Sequence, residues 1–182
     1  MKDRILSGMV LFVASEAVFF LMLVLAYVNF HKVTGTTAAS VLDFNKTLLF
    51  TVALLSSSAT MWFAEKAREH DKNSVAFWLG ATIFLGGVFI VGQGLEYAKL
   101  IGENITISRD LFGSTFFTLT GFHGLHVIVG LVLLLLLFAL AIFGRKHEPT
   151  VIGMQSIAIY WHFVDAVWIV VFSTVYMWRF IT

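Results

Sequence analysis

The stretch LFGSTFFTLTGFHGLHVIVGLVLLLLLFALAIFG, residues 111–144, contains no Asp, Glu, Lys or Arg. About 20 residues of α-helix, at roughly 1.5 Å of rise each, cross the ~30 Å hydrocarbon core of a bilayer. A backbone in lipid must satisfy its own hydrogen bonds, and the alternation of a β-barrel strand is absent here. The stretch therefore predicts a membrane-spanning helix. Because it is longer than needed, we place the helix start near residue 115, with Ser114 or Thr115 as the N-cap.

Four further apolar segments of sufficient length lie on either side of this one. The sequence predicts an all-α polytopic membrane protein, with a single transmembrane domain over residues 1–182. Its five helices are placed at approximately 6–28, 47–64, 75–95, 115–144 and 154–178.

The distribution of positive charge predicts the orientation of these helices. One side of the membrane would carry Lys2, Arg4, Lys66, Arg68, Lys72, Arg145 and Lys146, and the other Lys32, Lys46, Lys99, Arg109 and Arg179. Because short cytoplasmic loops carry the excess of Lys and Arg, we expect the N-terminus inside and the C-terminus outside.

The composition agrees with a chain embedded in lipid. Hydrophobic residues make up 59% of the chain and charged residues 13%, against roughly 45–50% and about 25% in soluble domains. This excludes a disordered chain and an ordinary soluble domain. The net charge of +1, with no basic block, gives no means of neutralising phosphates, so no nucleic-acid partner is expected. The absence of cysteine excludes thiolate metal sites and thiol catalysis.

Small residues recur on three of the predicted helices. They are Ser56, Ser57 and Ser58 on the second, Gly80, Gly86, Gly87, Gly92 and Gly94 on the third, and Gly121, Gly124 and Gly130 on the fourth. Lipid provides no hydrophobic drive between helices, so small residues promote association by allowing close packing. We interpret them as packing positions.

Five ionisable side chains lie deep within the predicted helices, where each costs about 2.5–3.5 kcal/mol to insert. They are Glu16, His123, His126, His162 and Asp165. The two members of each pair, His123 with His126 and His162 with Asp165, are three residues apart and share a helix face. We expect Asp165 to accept the ring N–H of His162. One polar cluster would then join the first, fourth and fifth helices.

Four interpretations of this cluster remain open from the residues alone. It could be a structural hydrogen-bond cluster, a proton-handling site around Glu16, a contact with lipid headgroups or a partner, or a metal site. The His-x-x-His and His-x-x-Asp spacings offer four ligands on two helices, but a di-iron bundle would supply more carboxylates at depth. No catalytic, cofactor-binding or metal-binding residue is assigned. Glu96, Tyr97, Trp161 and Trp168 are assigned to an interface or lipid contact.

Five stretches, in chain order, resemble the signatures of one family. They are ASEAVFF at 14–20, EY at 96–97, FGSTFF at 112–117, TGFHGLHV at 120–127 and YWHFVDAVW at 160–168. These motifs resemble subunit III of the haem–copper respiratory oxidases, and in particular cytochrome c oxidase subunit III. The long form of that family has seven helices, and this chain matches the last five, as in the short bacterial form.

The resemblance implies an accessory, non-redox subunit of a proton-pumping terminal oxidase in an aerobic respiratory chain. The chain would hold no cofactor itself, with haem and copper in subunits I and II, and would bind phospholipid. It would pack on subunit I and support its stability and proton uptake, with a small subunit IV as a further neighbour. Cytochrome c is the expected donor, and the bacterial plasma membrane the expected location. The glutamate that matches Glu16 is the family's buried carboxylate.

Other functions remain open. A subunit III of a quinol oxidase, or a related chain accompanying nitric-oxide reductase, would carry similar motifs. An independent transporter or proton channel should show ionisable groups along the depth of several helices, or broken helices at the midplane. A membrane metal enzyme would be recognised by a stoichiometric transition metal bound to the isolated chain.

Overall fold

The structure, a computed structural model, describes residues 2–31, 42–68, 72–143 and 151–176. These ranges contain five helices and no strand: α1 (Lys2–His31), α2 (Phe44–Ala67), α3 (Lys72–Gly102), α4 (Leu111–Phe143) and α5 (Val151–Tyr176). All five are long and apolar enough to cross a membrane. The predicted all-α class with five spanning helices is confirmed. The orientation of the termini stays a prediction.

The start of α4 differs from the predicted one. The helix begins at Leu111, because Asp110 caps it. The Asp110 carboxylate accepts the backbone N–H of Gly113 at 2.7 Å, and its carbonyl accepts that of Ser114 at 3.0 Å. The predicted N-cap at Ser114 or Thr115 is therefore wrong, since the aspartate before the apolar stretch already satisfies the first free donors.

Polar residues also set the ends of α2 and α3. Asp43 caps α2 and accepts the backbone N–H of Lys46 at 3.3 Å. Beyond the end of α3, Asn104 has a φ of 59°, and the N–H of Ile105 reaches the carbonyl of Leu100 at 2.9 Å. This left-handed turn closes the helix end, in a conformation that asparagine tolerates. Residue 144 and residues 177–178, the predicted ends of the last two helices, lie outside the described residues.

The helices pack around α4 and α5. The main contacts of α5 are with α1, α2 and α4, while α4 contacts α1, α3 and α5, and α2 lies along α3. The first helix packs against α4 and α5 with one face and leaves a wide apolar face exposed, including Leu11, Val18 and Met22. The bundle therefore has a tight centre and one more peripheral helix.

Trp161 of α5 forms that centre. Its side chain is fully buried, at 0% exposure, and its indole N–H donates to Ser57 Oγ of α2 at 3.0 Å. A Cβ atom placed on Gly86 of α3 or Gly130 of α4 would lie 2.8 or 2.7 Å from the indole ring. The predicted packing role of these two glycines is confirmed. The group that packs closely against them is the indole ring of Trp161, whereas small residues were expected to allow helix backbones to approach each other. One side chain thus contacts three other helices.

Trp168 repeats this arrangement two turns further along α5. It is also at 0% exposure, and its indole N–H donates to Thr51 Oγ1 of α2 at 2.9 Å. The predicted interface or lipid contact is therefore wrong for Trp161 and Trp168. Hydroxyl groups on α2 satisfy both indole N–H groups, so the rings can be buried without an unpaired donor.

Candidate functional site

The five predicted polar residues do not form one cluster. Glu16 and His126 join α1 to α4, and His162 and Asp165 join α5 to α2 through a further residue. His123 lies among aromatic rings. In the described parts of the chain, no hydrogen bond connects one of these three groups to another.

Glu16 and His126 form the first group. Glu16 Oε2 lies 3.2 Å from His126 Nε2, and His126 Nδ1 lies 2.7 Å from the carbonyl oxygen of Phe122. A carbonyl can only accept, so Nδ1 carries a hydrogen and donates. The contact between Nε2 and Oε2 then needs one further proton, carried by the imidazole in an ion pair or by the carboxyl group in a neutral pair. The pair therefore holds a single shared proton.

The surroundings of this pair are largely apolar. The Glu16 side chain is 24% exposed and that of His126 15%, so the pair lies near the surface of the bundle. The Phe20 ring centroid is 4.9 Å from that of His126, and the buried Tyr160 donates its hydroxyl to the His126 carbonyl at 3.1 Å. These contacts hold the imidazole in place. Because the surroundings are largely apolar, water screens the charge of the shared proton only weakly.

Ser58 of α2 joins His162 and Asp165 in the second group. Its Oγ lies 2.9 Å from His162 Nδ1 and donates to Asp165 Oδ2. The predicted bond between His162 and Asp165 is wrong, because both side chains point towards α2 and the serine hydroxyl stands between them. Sequence reasoning assigned Ser58 to helix packing alone, since nothing in the order of residues shows which helix faces α5.

Asp165 is only partly satisfied by this arrangement. Its side chain is 3% exposed, and Oδ1 has no hydrogen-bond partner in the ranges that the structure describes. A buried carboxyl oxygen without a donor raises the cost of burying the group. The Ser58 hydroxyl is therefore the one hydrogen-bond donor to the Asp165 carboxyl group in the described part of the bundle.

Removal of that hydroxyl has a measurable expected effect. Ser58→Ala should lower the free energy of unfolding by about 1–3 kcal/mol, because His162 and Asp165 lose their shared partner. Ser56→Ala is the matched control: its hydroxyl donates to the carbonyl of Val52 at an exposed position, and its expected effect is within about 0.5 kcal/mol. Unfolding in mixed micelles measures both, and equal losses in the two variants would contradict the bridging role.

His123 makes the third group and is buried without a hydrogen-bond partner on either ring nitrogen in the described residues. Its ring stacks on Trp168, with centroids 4.8 Å apart and an interplanar angle of 28°. Phe89 and Phe20 approach it edge-on, at 5.9 and 6.3 Å. As predicted from their spacing, His123 and His126 share a helix face, and both rings contact Phe20.

Glu96 belongs to a separate polar group near the end of α3. Tyr176 of α5 donates its hydroxyl to Glu96 Oε2 at 2.7 Å, and Thr47 Oγ1 of α2 lies 3.1 and 3.2 Å from the two carboxyl oxygens. The neighbouring Tyr97 hydrogen-bonds through its hydroxyl to Thr120 Oγ1 of α4 at 2.7 Å. These contacts join α2, α3, α4 and α5 at one end of the bundle. The assignment of Glu96 and Tyr97 to an interface or lipid contact stays a prediction.

The family model described as cytochrome c oxidase subunit III matches residues 1–180. The chain belongs to this family. The resemblance of its motifs to subunit III is therefore confirmed.

Similar proteins named "cytochrome c oxidase subunit 3" include bacterial and fungal ones. The chain is 36% identical to that of Corynebacterium diphtheriae over 177 residues, which cover 93% of this chain and 85% of that protein. Identity to the protein of a Synechocystis strain is 36% over 185 residues, covering 96% and 76%. For Rhizopus stolonifer it is 37% over 182 residues, covering 94% of this chain and 63% of the relative. The chain thus spans less than two thirds of the fungal protein's length.

The polar groups of this subunit III family member include two pairs of side chains of types that can ligate a metal. The described residues bring together no set of three or more His, Asp or Glu side chains that could hold a metal ion. Glu16 with His126, and His162 with Asp165, each offer two groups at most. The arrangement therefore gives the metal-site interpretation no support. The expected location of haem and copper in partner subunits stays a prediction.

Proposed function

We propose that the chain is an accessory, non-redox subunit III of a proton-pumping terminal cytochrome c oxidase in a bacterial plasma membrane. The observation that carries this proposal is the family match over residues 1–180. Haem and copper would be held by subunits I and II, and the chain would pack on subunit I. A small subunit IV is a further neighbour, with cytochrome c as the donor to the complex and phospholipids around the bundle.

The geometry supports a stabilising role for most of the buried polar groups. Ser57 and Thr51 accept the indole N–H groups of Trp161 and Trp168, and Ser58 joins two side chains of α5. Such groups fix the relative positions of helices in lipid. We therefore assign to the bundle the role of a single, rigid transmembrane domain against which subunit I is held.

The Glu16–His126 pair supports the proposed role in proton uptake. It holds one shared proton, lies near the surface of the bundle, and joins the peripheral α1 to α4. A proton at such a place, on the outer side of the bundle, can exchange with an adjacent subunit without crossing the bundle. In the described residues no hydrogen bond connects the Ser58 group, His123 and the Glu96 group to one another, so these groups give no continuous route across the bundle. This favours an accessory subunit over an independent channel.

Co-purification tests the proposed function. The chain is affinity-tagged and isolated from its own membrane in mild detergent, and the eluate is examined for haem absorbance and oxygen consumption. We expect a haem-bearing subunit to elute with the chain and to consume oxygen with reduced cytochrome c. A quinol-driven activity with no response to cytochrome c would identify the quinol oxidase alternative. A chain that elutes alone, with haem-bearing complexes elsewhere, would refute the proposal.

A further inference from the structure

Ser58, His162 and Asp165 form a short hydrogen-bonded chain at the middle depth of the bundle. Both α5 residues lie near the centre of the spanning segment Ile152–Tyr176. The chain begins at the partly buried imidazole of His162, passes through the hydroxyl of Ser58 and ends at the buried carboxyl group of Asp165. It therefore leads from the side of the bundle into its interior.

The hydroxyl of Ser58 determines which ring nitrogen of His162 carries a hydrogen. A serine hydroxyl has one hydrogen, and here it is donated to Asp165 Oδ2. The 2.9 Å contact between Ser58 Oγ and His162 Nδ1 then needs the hydrogen of Nδ1. In the neutral imidazole Nε2 is consequently an acceptor, and no group of the described residues hydrogen-bonds to it. A base thus lies at the outer end of the chain, on an atom that the bundle does not enclose.

The inner end of the chain lacks hydrogen-bond donors. Asp165 Oδ1 has no partner in the ranges that the structure describes. The indole N–H groups of Trp161 and Trp168, one turn away on either side along α5, donate to Ser57 and Thr51 and are not available to it. An ionised carboxylate in apolar surroundings needs donors on both oxygens, whereas a protonated carboxyl group carries no charge. The surroundings therefore favour a proton on Asp165.

No charged side chain of the described residues offsets a negative charge at this place. The helices packed against α5 are α1, α2 and α4. Their ionisable side chains in the middle of the bundle, or at the nearer end of α2, are Glu16, His123, His126, Glu65 and Lys66. None of them has an electrostatic interaction with Asp165 or His162. An ionised Asp165 would therefore be a buried charge without a cation.

We propose that these three residues take up and store one proton. A proton that binds His162 Nε2 releases the hydrogen of Nδ1 to Ser58 Oγ, and the hydroxyl hydrogen of Ser58 moves to Asp165 Oδ2. The two hydrogen bonds of the chain then run in the opposite direction, from Asp165 to Ser58 and from Ser58 to His162 Nδ1. One proton has entered, and all three side chains are neutral.

The proton comes from outside the chain. The hydrocarbon core of the bilayer holds no water, so the donor to Nε2 is a polar group of an adjoining subunit. The inference therefore rests on the proposed place of the chain in an oxidase complex. It adds a second proton-holding group to the Glu16–His126 pair, to which no hydrogen bond joins it in the described part of the chain.

Infrared spectroscopy of the intact complex, isolated through the tagged chain, tests the proton on Asp165. A protonated carboxyl group gives a carbonyl-stretching band that an ionised one lacks. We expect the wild-type spectrum at neutral pH to contain one such band that Asp165→Asn removes. Asp43→Asn is the matched control, because hydrogen bonds from the side chain and backbone of Lys46 lower the pKa of Asp43 and keep it ionised. Its spectrum should equal that of the wild type.

Transfer of the complex into heavy water tests the path through Ser58. Deuterium that enters at His162 Nε2 reaches Asp165 and shifts its band. In Ser58→Ala the carboxyl group keeps its proton but loses its link to His162. We expect exchange of the band to be about tenfold slower, as for a barrier raised by the loss of one hydrogen bond. Ser56→Ala, which removes a hydroxyl that donates to the Val52 carbonyl, should exchange at the wild-type rate.

Two results would overturn the proposal. One is a spectrum in which Asp165→Asn removes no protonated-carboxyl band, and the other is exchange in Ser58→Ala as fast as in the wild type. If Asp165→Asn does not assemble, the band position in Ser58→Ala decides: loss of the hydroxyl should move the Asp165 band to higher frequency, and an unmoved band contradicts the store.

A third variant covers failure of Ser58→Ala to assemble. His162→Gln removes the base at the outer end of the chain and should slow the exchange of the Asp165 band to the same extent, whereas exchange at the wild-type rate contradicts the path. Haem absorbance of each preparation is measured first. Failure of the oxidase assignment is then seen separately from failure of the proton store, because the infrared band belongs to this chain whichever subunits accompany it.

Discussion

Trp161→Ala is expected to lower the free energy of unfolding of the chain by about 3–5 kcal/mol, the range for removal of a fully buried large aromatic side chain. The indole fills the space left by Gly86 and Gly130, and its N–H is satisfied by Ser57. Alanine would leave a cavity bordered by three helices, and Ser57 Oγ would lose the indole N–H that it accepts while it still donates to the Leu54 carbonyl. Lipid tails cannot fill this space, because the ring is fully enclosed by protein. We therefore expect loss of the bundle's fixed packing and poor assembly of the complex.

The effect is measured by unfolding in mixed detergent micelles, with Trp62→Ala as the control. Trp62 is of the same residue type, but it is 46% exposed and packs beneath the ammonium of Lys66, 3.7 Å from the ring centroid. Its loss should cost no more than about 1 kcal/mol. Similar destabilisation by the two substitutions would contradict the central position of Trp161.

Glu16→Gln is expected to have a small effect on assembly and a large one on sustained turnover. Glutamine can donate an amide N–H to His126 Nε2, while His126 Nδ1 keeps its bond to the Phe122 carbonyl. The packing of α1 on α4 is then preserved. An amide cannot release a proton near neutral pH, so the shared proton of the pair is lost. We expect normal haem content and initial oxygen consumption, followed by a several-fold faster decline of turnover or slower proton uptake.

A second substitution at the same position separates structure from proton handling. Glu16→Leu leaves His126 Nε2 without its partner and should also cost about 1–3 kcal/mol of stability. Glu103→Gln removes an exposed carboxylate from the end of α3 and should change neither property. Long-run turnover of Glu16→Gln equal to that of the wild type would leave the pair with a packing role alone.

The length of the apolar runs was sufficient to predict the five helices, because the bilayer sets a minimum length for each one. The ends were harder to predict. Asp110, the residue that bounds the charge-free stretch, also caps α4, whereas the longer-than-needed run suggested a start four residues later. A helix can continue through polar residues beyond the hydrocarbon core. Hydropathy alone does not predict where such a helix ends.

Side-chain partners on other helices could not be predicted. The spacing of His162 and Asp165 correctly places both on one face of α5, but Ser58 is separated from them by more than a hundred residues of sequence. In the same way, Trp161 and Trp168 are of a type enriched at membrane interfaces. Their burial follows from hydroxyls on α2, which only the packing of the helices brings into reach.

The oxygen consumption of the reconstituted oxidase, followed over many turnovers with and without this chain, tests the proposed function most directly. The complex is isolated through a tag on its haem-bearing subunit, one sample is depleted of the chain by stronger detergent, and both are placed in the same vesicles with reduced cytochrome c. We expect equal haem spectra and similar initial rates, followed by faster loss of activity and weaker proton uptake in the depleted sample. Loss of the haem spectrum together with the chain would contradict a non-redox accessory role, and so would identical rates, lifetimes and proton uptake in the two samples.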